Sequence, residues 1–325
     1  MRLIVADIGG TNARFAVSSQ GEPSLCHITH LRCADFVGFE DAFERFLTGL
    51  PRDEQSGRHV LSLAVAGPVN GQIVDVSNNH WRFDKTRLLE RLALDKLLVI
   101  NDFTAQALAQ HNAADGDRRQ ILGGIDDASA PLLVIGPGTG LGVSALIPFV
   151  QGPLPVEGEG GNIRFAPQTE PERDLCAYME QQTDHVVVEH FVSGPGLENI
   201  HRFLANSAGI EPSLSAEMIA TSALHEEGIC REAVNLMIGI LGAVMRDHVL
   251  TMGCWRGAVI TGGIMPRLQS LINSSPLKQR FRSAGEMSHI LRNVPVWLST
   301  DPHAGLKGAQ AAFGNPYLAH RMVTG

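Results

Sequence analysis

A short segment near the N-terminus combines residue types that suit phosphate binding: Asp7-Ile8-Gly9-Gly10-Thr11-Asn12. Glycines let backbone N–H groups approach phosphate oxygens closely, and the side chains of Thr11 and Asn12 add hydrogen-bond donors. The carboxylate of Asp7 is an oxygen ligand of the kind that holds Mg²⁺. A plain hairpin turn explains the same residues equally well, so this segment alone leaves both interpretations open.

A second glycine-rich segment, Gly136-Pro137-Gly138-Thr139-Gly140, repeats the combination of glycine and threonine later in the chain. Alone it is as ambiguous as the first. Two such turns that face each other would surround a triphosphate with backbone donors on both sides. The pair therefore favours nucleotide binding more strongly than either segment does.

Acidic residues occupy three further places that could bind a ligand. Asn101-Asp102 follows a buried strand, Glu157-Gly158-Glu159-Gly160-Gly161-Asn162 is a glycine-rich loop, and Glu189 ends an apolar run. Carboxylates accept the hydrogen bonds that sugar hydroxyls donate, and ligands of α/β proteins bind at the carboxyl edge of the sheet. The alternatives are a helix N-cap at the first place and solvated loop acids at the other two.

Several common catalytic motifs are missing from the sequence. No Gly-Lys dipeptide occurs, which excludes a Walker A loop, and the glycines of Gly136–Gly142 do not fit GxGxxG. HExxH and GxSxG are also absent. The cluster Cys26, His27, His30 and Cys33 lacks the spacing of a structural zinc site, so we do not expect zinc there.

Composition narrows the class of protein and its location. The 325 residues carry a net charge of −8, and the four lysines are scattered, so no basic stripe exists for nucleic acid. Five widely spread cysteines without a CxxC pair fit a reducing compartment. Met1–Asp7 holds too few apolar residues for a signal peptide, and Leu236–Met245 is too short to span a bilayer. We expect a cytoplasmic protein without nucleic-acid or membrane partners.

The elements around the two glycine-rich segments form similar units. Leu3–Asp7 and Arg14–Val17 predict a hairpin across the first segment, and Leu132–Ile135 and Leu141–Leu146 predict a second hairpin across the other. A unit of this kind at the start of each half favours two domains, one per hairpin.

The remaining patterns predict an α/β fold. Val60–Ala66 and Leu97–Ile100 have the continuous apolar character of strands buried on both faces, and Ala258–Thr261 is a further strand. Helical spacing occurs in Phe36–Leu47, in Thr104–Gln110, in the long apolar segment Arg231–Met252, and is expected after Pro266. Strands that alternate with helices indicate an α/β architecture.

Taken in chain order, six segments closely resemble those of bacterial glucokinases, which belong to the hexokinase–actin–Hsp70 superfamily. The segments are Asp7–Asn12, Leu98–Ala105, Gly136–Gly142, Gly158–Pro167, Val192–Leu197 and Ile260–Arg267. They occur in the family's order across nearly the whole chain, together with a C-terminal helix rich in small residues, Gly305–Phe313. An ordered set of this kind is highly specific.

The resemblance implies two actin-like (ribonuclease H-like) α/β domains with a cleft between them. Residues 1–110 and 300–325 would form a small domain with the first phosphate loop and the catalytic aspartate. Residues 111–299 would form a large domain with the second phosphate loop, the sugar-binding glutamates and the adenosine-binding segment. The polar segment Asn112–Ala130 resembles a link between them.

The resemblance also implies the reaction, the phosphorylation of glucose to glucose 6-phosphate by ATP with Mg²⁺, as in glycolysis, by a cytoplasmic homodimer. The first phosphate loop would comprise Asp7, Ile8, Gly9, Gly10, Thr11 and Asn12, with Asp7 also holding the metal. The second would comprise Gly138, Thr139 and Gly140. Gly262 and Gly263 would contact the adenosine, although a strand-to-helix turn explains these two glycines as well.

The resemblance assigns the sugar site in the same way. Asp102 matches the family's catalytic base, and Asn101 and Asp102 match its sugar-binding pair. Glu159 and Glu189 match the sugar-binding glutamates, whereas Glu157 lies outside the motif. Asn78 resembles a further sugar-loop residue, although an Asx turn explains it equally well.

One position departs from the family pattern, since Asn162 stands where the family usually has histidine. Asparagine can still donate to or accept from a hydroxyl, but the departure leaves mannose or fructose open as the preferred hexose. A sugar-binding regulator without catalysis is a second alternative. Such regulators carry a DNA-binding segment ahead of the first phosphate loop, and we expect none before Asp7. An actin-like or chaperone-like ATPase is a third alternative, which the loop around Glu159 disfavours.

Overall fold

The computed structural model describes residues 2–18, 24–55, 59–111, 113–211 and 214–325. The chain folds as two compact units. Unit 1 comprises Met1–Ala113, Leu146–Glu157 and Asp301–Gly325, and unit 2 comprises Ala114–Ala145 and Gly158–Thr300. Each unit contains a six-stranded sheet that is accompanied by helices, so the α/β character predicted from the sequence is confirmed.

The sheet of unit 1 has the strand order β14-β7-β4-β1-β2-β3. Its strands are β1 (Arg2–Ile8), β2 (Asn12–Ser18), β3 (Leu25–Arg32), β4 (His59–Val65), β7 (Leu94–Asn101) and β14 (Val323–Thr324). β1, β4 and β7 run parallel, whereas β1, β2 and β3 form an antiparallel meander. Every residue of β4 is buried, as its continuous apolar sequence predicts for a strand covered on both faces.

Among the described residues of unit 1, a two-stranded ribbon and five α-helices accompany the sheet. The ribbon consists of β5 (Ile73–Asp75) and β6 (Arg82–Asp84). The helices are α1 (Phe39–Thr48), α2 (Arg52–Gln55), α3 (Lys85–Arg91), α4 (Asp102–His111) and α12 (Ala304–Phe313), and two 3₁₀ helices span Cys33–Asp35 and Ala319–Arg321.

An aromatic cluster fixes α1 on the sheet of unit 1. Phe39, Phe43 and Phe46 recur at the spacing of one helix face and are each at most 1% exposed. They surround Phe15 of β2, and the rings of Phe15 and Phe46 stack with their centroids 5.3 Å apart. Burial of these rings and the ring contacts stabilise the position of α1.

The sheet of unit 2 has the strand order β11-β10-β9-β12-β13-β8. Its strands are β8 (Arg118–Leu122), β9 (Leu132–Pro137), β10 (Leu141–Ile147), β11 (Leu154–Gly158), β12 (Gly257–Ile260) and β13 (Val296–Ser299). β9, β12 and β13 run parallel, and β8 joins the edge antiparallel to β13.

The long apolar helix α8 (Ile229–Met252) packs against α6 (Gly194–Ser207), α7 (Ala216–His225) and α10 (Leu277–Arg282). Unit 2 also contains α5 (Glu170–Glu180), α9 (Gln269–Ile272) and α11 (Ser288–Leu291), with 3₁₀ helices at Gly160–Asn162, Val188–His190 and Gly285–Met287. α8 is long and apolar enough to span a bilayer, but 78% of its most hydrophobic window is buried inside the protein, as in a core helix. It ends at Gly253, whose left-handed backbone (φ 64°) suits glycine.

One element differs from the sequence prediction. α1 begins at Phe39 rather than at Phe36, because Cys33–Asp35 already forms a 3₁₀ turn and Gly38, the N-cap, is fully extended. The helix expected after Pro266 is present as the four-residue α9.

The division of the chain also differs from the one expected, which placed 111–299 in one domain. Leu146–Glu157 belongs to unit 1, because side chains of the C-terminal segment bind it. The buried amide of Asn315 donates to the carbonyl of Pro153 at 2.8 Å, and the ring of Tyr317 packs on Phe149. Asn112, the first residue of the expected link, lies outside the described residues.

Small residues allow α12 to approach α4 very closely. Gly308 of α12 faces the backbone carbonyl of Ala105 on α4, and a Cβ at Gly308 would overlap that carbonyl. Gly305, one turn earlier, faces the carboxylate of Asp7 in the same way. The small-residue character of this helix therefore has a packing reason.

We predict that Gly308→Ala lowers the free energy of unfolding by about 3 kcal/mol, because the added methyl must push two backbones apart. Gly314→Ala at the C-cap of the same helix is the matched control, since nothing lies within 4 Å of a Cβ there. Urea unfolding followed by circular dichroism measures both variants. Equal stability of the two variants would contradict the close approach of α4 and α12.

Candidate active site

The first glycine-rich segment is the tight turn between β1 and β2. The N–H of Gly9 donates to the carbonyl of Asn12 at 3.0 Å and closes the turn. The Asn79 amide donates to the Gly9 carbonyl at 3.2 Å, and the Cys33 N–H donates to the Thr11 carbonyl at 2.9 Å. Thr11 and Asn12 are exposed on this anchored turn, so their donors are accessible to a ligand.

Asp7 lies directly below this turn, opposite Arg14 in the register of β1 and β2. It is only 8% exposed, and its Oδ2 accepts a hydrogen bond from Arg14 Nη1 at 3.0 Å. Burial raises the pKa of Asp7, and the positive charge of Arg14 opposes this shift. The space for the carboxylate exists because Gly305 has no side chain.

The structure places Asn78 beside the first turn, as part of a polar cavity. A Cβ on Gly10 would lie 3.0 Å from the Asn78 carbonyl, and Asn78 adopts a left-handed backbone (φ 56°) that asparagine tolerates. The cavity measures about 500 Å³ and is lined by Gly10, Thr11, Arg32, Cys33, Ala34, Asn78, Asn79 and His80. The turn therefore borders a space that a small polar ligand could enter.

Asn101 and Asp102 emerge at the same edge of the sheet as the first turn. Ile8, Val65 and Asn101 are partners across the parallel strands β1, β4 and β7, so all three strands end together. Asp102 is the first residue of α4 and is partly exposed. A carboxylate at the carboxyl edge of a parallel sheet occupies the usual ligand position of α/β proteins.

The helix-capping alternative holds for Asn101. Its Oδ1 accepts hydrogen bonds from the N–H groups of Phe103 at 2.8 Å and Thr104 at 3.3 Å, and its Nδ2 donates to the Gly67 carbonyl at 3.2 Å. Asn101 thus fixes the start of α4. Its role in sugar binding stays a prediction.

In unit 2 the second glycine-rich turn lies next to the predicted adenosine segment. Gly138 N–H donates to the Gly140 carbonyl at 2.8 Å, and Thr139 is exposed at the tip of the turn. β9 and β12 run parallel, so Gly262 follows the neighbouring strand at the same edge. Gly262 has φ 88°, and a Cβ there would lie 2.5 Å from the Pro137 carbonyl. Only glycine allows this approach, and Gly263 is exposed beside it.

Glu189 is held against the second turn. Its Oε2 accepts a hydrogen bond from the Leu141 N–H at 2.7 Å, and a Cβ on Gly140 would lie 2.5 Å from the same oxygen. The half-buried side chain of Glu189 therefore borders the turn on the side where β10 begins. Gly140 has a packing role that its place in the motif did not predict.

The loop of Glu159 and Asn162 joins Glu189 through the backbone. Arg164 forms an isolated β-bridge with Val187, and the Val188 N–H donates to the Ile163 carbonyl at 3.1 Å. Glu159 and Asn162 are both exposed. Within unit 2 the structure therefore brings all three predicted sugar-binding side chains to the region of the second turn.

The residues that hold these loops were missed by sequence reasoning. Arg14 could have been found, because a four-residue turn places it opposite Asp7 in the hairpin register. Nothing in the sequence distinguishes Asn79 from its neighbour Asn78 as the residue that holds the first turn. His248 contacts the backbone of Gly160, and burial lowers the pKa of its imidazole while a hydrogen bond to Gly160 opposes the shift.

In the part of the chain that the structure describes, no three His, Cys, Asp or Glu side chains are placed to share a metal. Cys33 is buried, and burial raises the pKa of its thiol, which disfavours the thiolate that zinc needs. Cys26 lies exposed on β3.

Comparison with known proteins gives matches over nearly the whole chain. The family model described as glucokinase matches residues 4–316. The chain is 39% identical over 315 residues to the glucokinase of Aromatoleum aromaticum, covering 96% of this chain and 94% of that protein. It is 38% identical over 329 residues to the glucokinase of Helicobacter pylori strain P12, covering 98% and 97%.

Solved structures give the same result for the fold. A glucokinase from an Antarctic psychrotroph superposes with a TM-score of 0.83 at 32% identity, covering 97% of this chain and 99% of that one. The glucokinase of Balamuthia mandrillaris, solved in complex with glucose, superposes with a TM-score of 0.80 at 20% identity, covering 97% and 93%. The two-domain actin-like α/β fold implied by the sequence is confirmed. The chain therefore belongs to the glucokinase family of hexose kinases.

Proposed function

We propose that this protein transfers the γ-phosphoryl group of ATP to the 6-hydroxyl of glucose, with Asp102 as the general base. The observation that carries the proposal is the shared sheet edge in unit 1. There a partly exposed carboxylate at the start of α4 and the anchored Gly9–Asn12 turn follow parallel strands that end in register. A phosphate and a hydroxyl held at that edge would lie near the same carboxylate.

In the proposed reaction the sugar oxygen forms a bond to the γ-phosphorus, and the bond from that phosphorus to the leaving ADP oxygen breaks. The hydroxyl proton passes to Asp102. Transition states of phosphoryl transfer are loose, so orientation of the hydroxyl and neutralisation of charge supply most of the acceleration. A positioned general base contributes about 10²–10⁴-fold, which corresponds to about 3–5 kcal/mol of barrier.

Backbone donors of the two glycine-rich turns would bind the phosphates. Gly10 and Thr11 would supply N–H groups in unit 1, and Thr139 and Gly140 would supply them in unit 2. The N–H groups of Gly9 and Gly138 close the two turns, and these glycines would let the backbone approach the phosphates. Donors fixed in advance by a closed turn need no reorganisation when charge develops, so they favour the transition state. Gly262 and Gly263 would accommodate the adenosine.

Asp7 would hold Mg²⁺. One carboxylate together with phosphate oxygens and water satisfies this ion, so the single buried acid beneath the turn fits the requirement. Bound there, Mg²⁺ would neutralise phosphate charge. Arg14 keeps Asp7 oriented toward the turn and, by its charge, favours the ionised form of this buried carboxyl.

The polar residues of unit 2 and Asn78 would select the sugar. Glu159, Glu189 and Asn162 offer hydrogen-bond acceptors, and Asn162 can also donate. A site whose polar groups need the substrate's hydroxyls rejects analogues that lack one by about 10⁴-fold. Since Asn162 replaces the family's usual histidine, mannose or fructose is the competing hexose.

The protein is further proposed to act in the cytoplasm, in glycolysis, as a homodimer. The five cysteines are free, which supports a reducing compartment. Sedimentation velocity tests the dimer.

The role of Asp102 is tested by Asp102→Asn. The amide keeps the size of the side chain but cannot take the proton, so we expect kcat to fall at least about 10²-fold while the sugar Kd changes less than about tenfold. Asp174→Asn, an exposed change in α5, is the control. Steady-state kinetics and calorimetry provide the two readouts, and near-wild-type turnover of Asp102→Asn would remove Asp102 from its role.

The role of Asp7 is tested by Asp7→Asn, which can still accept the Arg14 hydrogen bond but lacks the charge. We expect the Mg²⁺ concentration for half-maximal activity to rise at least about tenfold. The exposed Asp184→Asn variant serves as the control for altered net charge. A metal titration curve that does not move would count against Asp7 as the metal ligand.

A further inference from the structure

Glu157, which the motif comparison leaves aside, binds two other segments of unit 1. Its Oε1 accepts a hydrogen bond from Thr104 Oγ1 at 2.6 Å and from Arg321 Nη1 at 2.8 Å. Its Oε2 pairs with Arg321 Nη2 at 2.7 Å. The guanidinium of Arg321 therefore binds both oxygens of the carboxylate, and the hydroxyl of Thr104 binds one of them. Such a two-pronged contact fixes the orientation of the carboxylate.

The three partners come from distant parts of the chain. Thr104 is fully buried in the first turn of α4, two residues after Asp102. Glu157 lies near the end of β11, and Arg321 ends the C-terminal 3₁₀ helix. We call the contact of Thr104, Glu157 and Arg321 the clamp. It links the start of α4 to two segments that are remote from it in sequence.

Partial burial makes the clamp stronger than an exposed ion pair. The side chains of Glu157 and Arg321 are 22% and 23% exposed, so solvent screens them only in part. Lys85 is also nearby: burial and then the charge of Arg321 lower the pKa of its ammonium, which donates to the Val69 carbonyl at 2.6 Å. Loss of Glu157 would leave Arg321 without its acid while the charge of Lys85 remains nearby.

The clamp acts on the segment that carries the proposed base. Asn101 fixes the backbone on one side of Asp102, through the Phe103 and Thr104 N–H groups and the Gly67 carbonyl. Glu157 fixes the side chain of Thr104 on the other side. Asp102 therefore lies between two anchored neighbours, and a shift of about 1 Å at such a residue can cost about 10²-fold in rate.

We infer that Glu157, held by Arg321, is a positioning residue that orients Asp102 through the hydroxyl of Thr104. The inference rests on the proposed function for its effect on catalysis. The clamp itself is a property of the free protein, and it can be measured there.

The kinetic test uses two pairs of variants. Thr104→Val removes the donor with little change of volume, and Thr104→Ser keeps it. We expect Thr104→Val and Glu157→Gln each to lower kcat about tenfold, with KM for ATP and Kd for the sugar within about twofold, and Thr104→Ser to stay near wild type. Glu157→Gln can still accept from Thr104, but it loses the charge and the forked contact with Arg321 that hold its side chain in place. The double variant should lose no more than the worse single variant, because both changes act through the same Thr104–Glu157 contact.

Other kinetic outcomes overturn the inference. These are wild-type kcat in Thr104→Val and Glu157→Gln, losses that multiply in the double variant, or an effect confined to KM. Glu226→Gln, an exposed change, controls for the loss of an acid. Arg321→Lys, which keeps the charge but not the fork, replaces Glu157→Gln if that variant fails to fold, and the same loss of kcat is expected.

Hydrogen exchange on the ligand-free protein tests the clamp without activity. In Glu157→Gln we expect the amides in the first turn of α4 to exchange at least about tenfold faster. The first turn of α5, capped by Thr169 and Glu172, should be unchanged. Unchanged exchange in α4 overturns the inference. Faster exchange in a protein that phosphorylates no hexose would support the clamp and contradict the proposed function.

Discussion

Parallel pairing of β1, β4 and β7 is the constraint on which the arrangement of unit 1 depends. Because Ile8, Val65 and Asn101 are in register, the turn after β1 and the helix after β7 begin at one edge of the sheet. A slip of one residue in β7 would turn its side chains to the opposite face and move Asp102 away from the turn. The burial of β4 on both faces stabilises this register.

The same principle arranges unit 2. β9 and β12 are parallel, so the Gly138–Gly140 turn and Gly262 follow neighbouring strands, and Gly262 adopts a backbone that closely approaches Pro137. Side chains fix the positions of the loops, which the register of the strands does not determine. Glu189 binds the Leu141 N–H in unit 2, whereas Asn79 and Arg14 hold the first turn and Asp7 in unit 1. Each proposed ligand-binding turn thus combines a fixed backbone with exposed donors.

Local patterns predicted the elements that local interactions determine. The hairpin across Gly9–Asn12, the strand before Asn101 and the long helix Ile229–Met252 were predicted because continuous apolar runs and turn residues mark them. The start of α1 was placed too early, since the extended Gly38 is not visible in helical spacing. The helix expected after Pro266 is present as α9, and its length of four residues was not part of the prediction.

Residues of the candidate site could be proposed where they coincide with a motif, whereas contacts with distant partners could not. Asp7 and Glu189 lie in recognisable segments, but the contacts of Asp7 with Arg14 and of Glu189 with Leu141 required the fold. Glu157 was set aside because it lies outside the motif, and its partner Arg321 lies far from it in the sequence. No spacing rule connects residues that meet only through tertiary structure.

If the protein transfers the phosphoryl group of ATP to a hexose rather than to water, ADP forms only when a hexose is present. The most direct measurement is ADP formation in a coupled assay with glucose, mannose, fructose or no sugar. We expect ADP release only in the presence of hexose, with the highest kcat/KM for glucose. Equal ADP release without any sugar would contradict this expectation and would favour an ATPase.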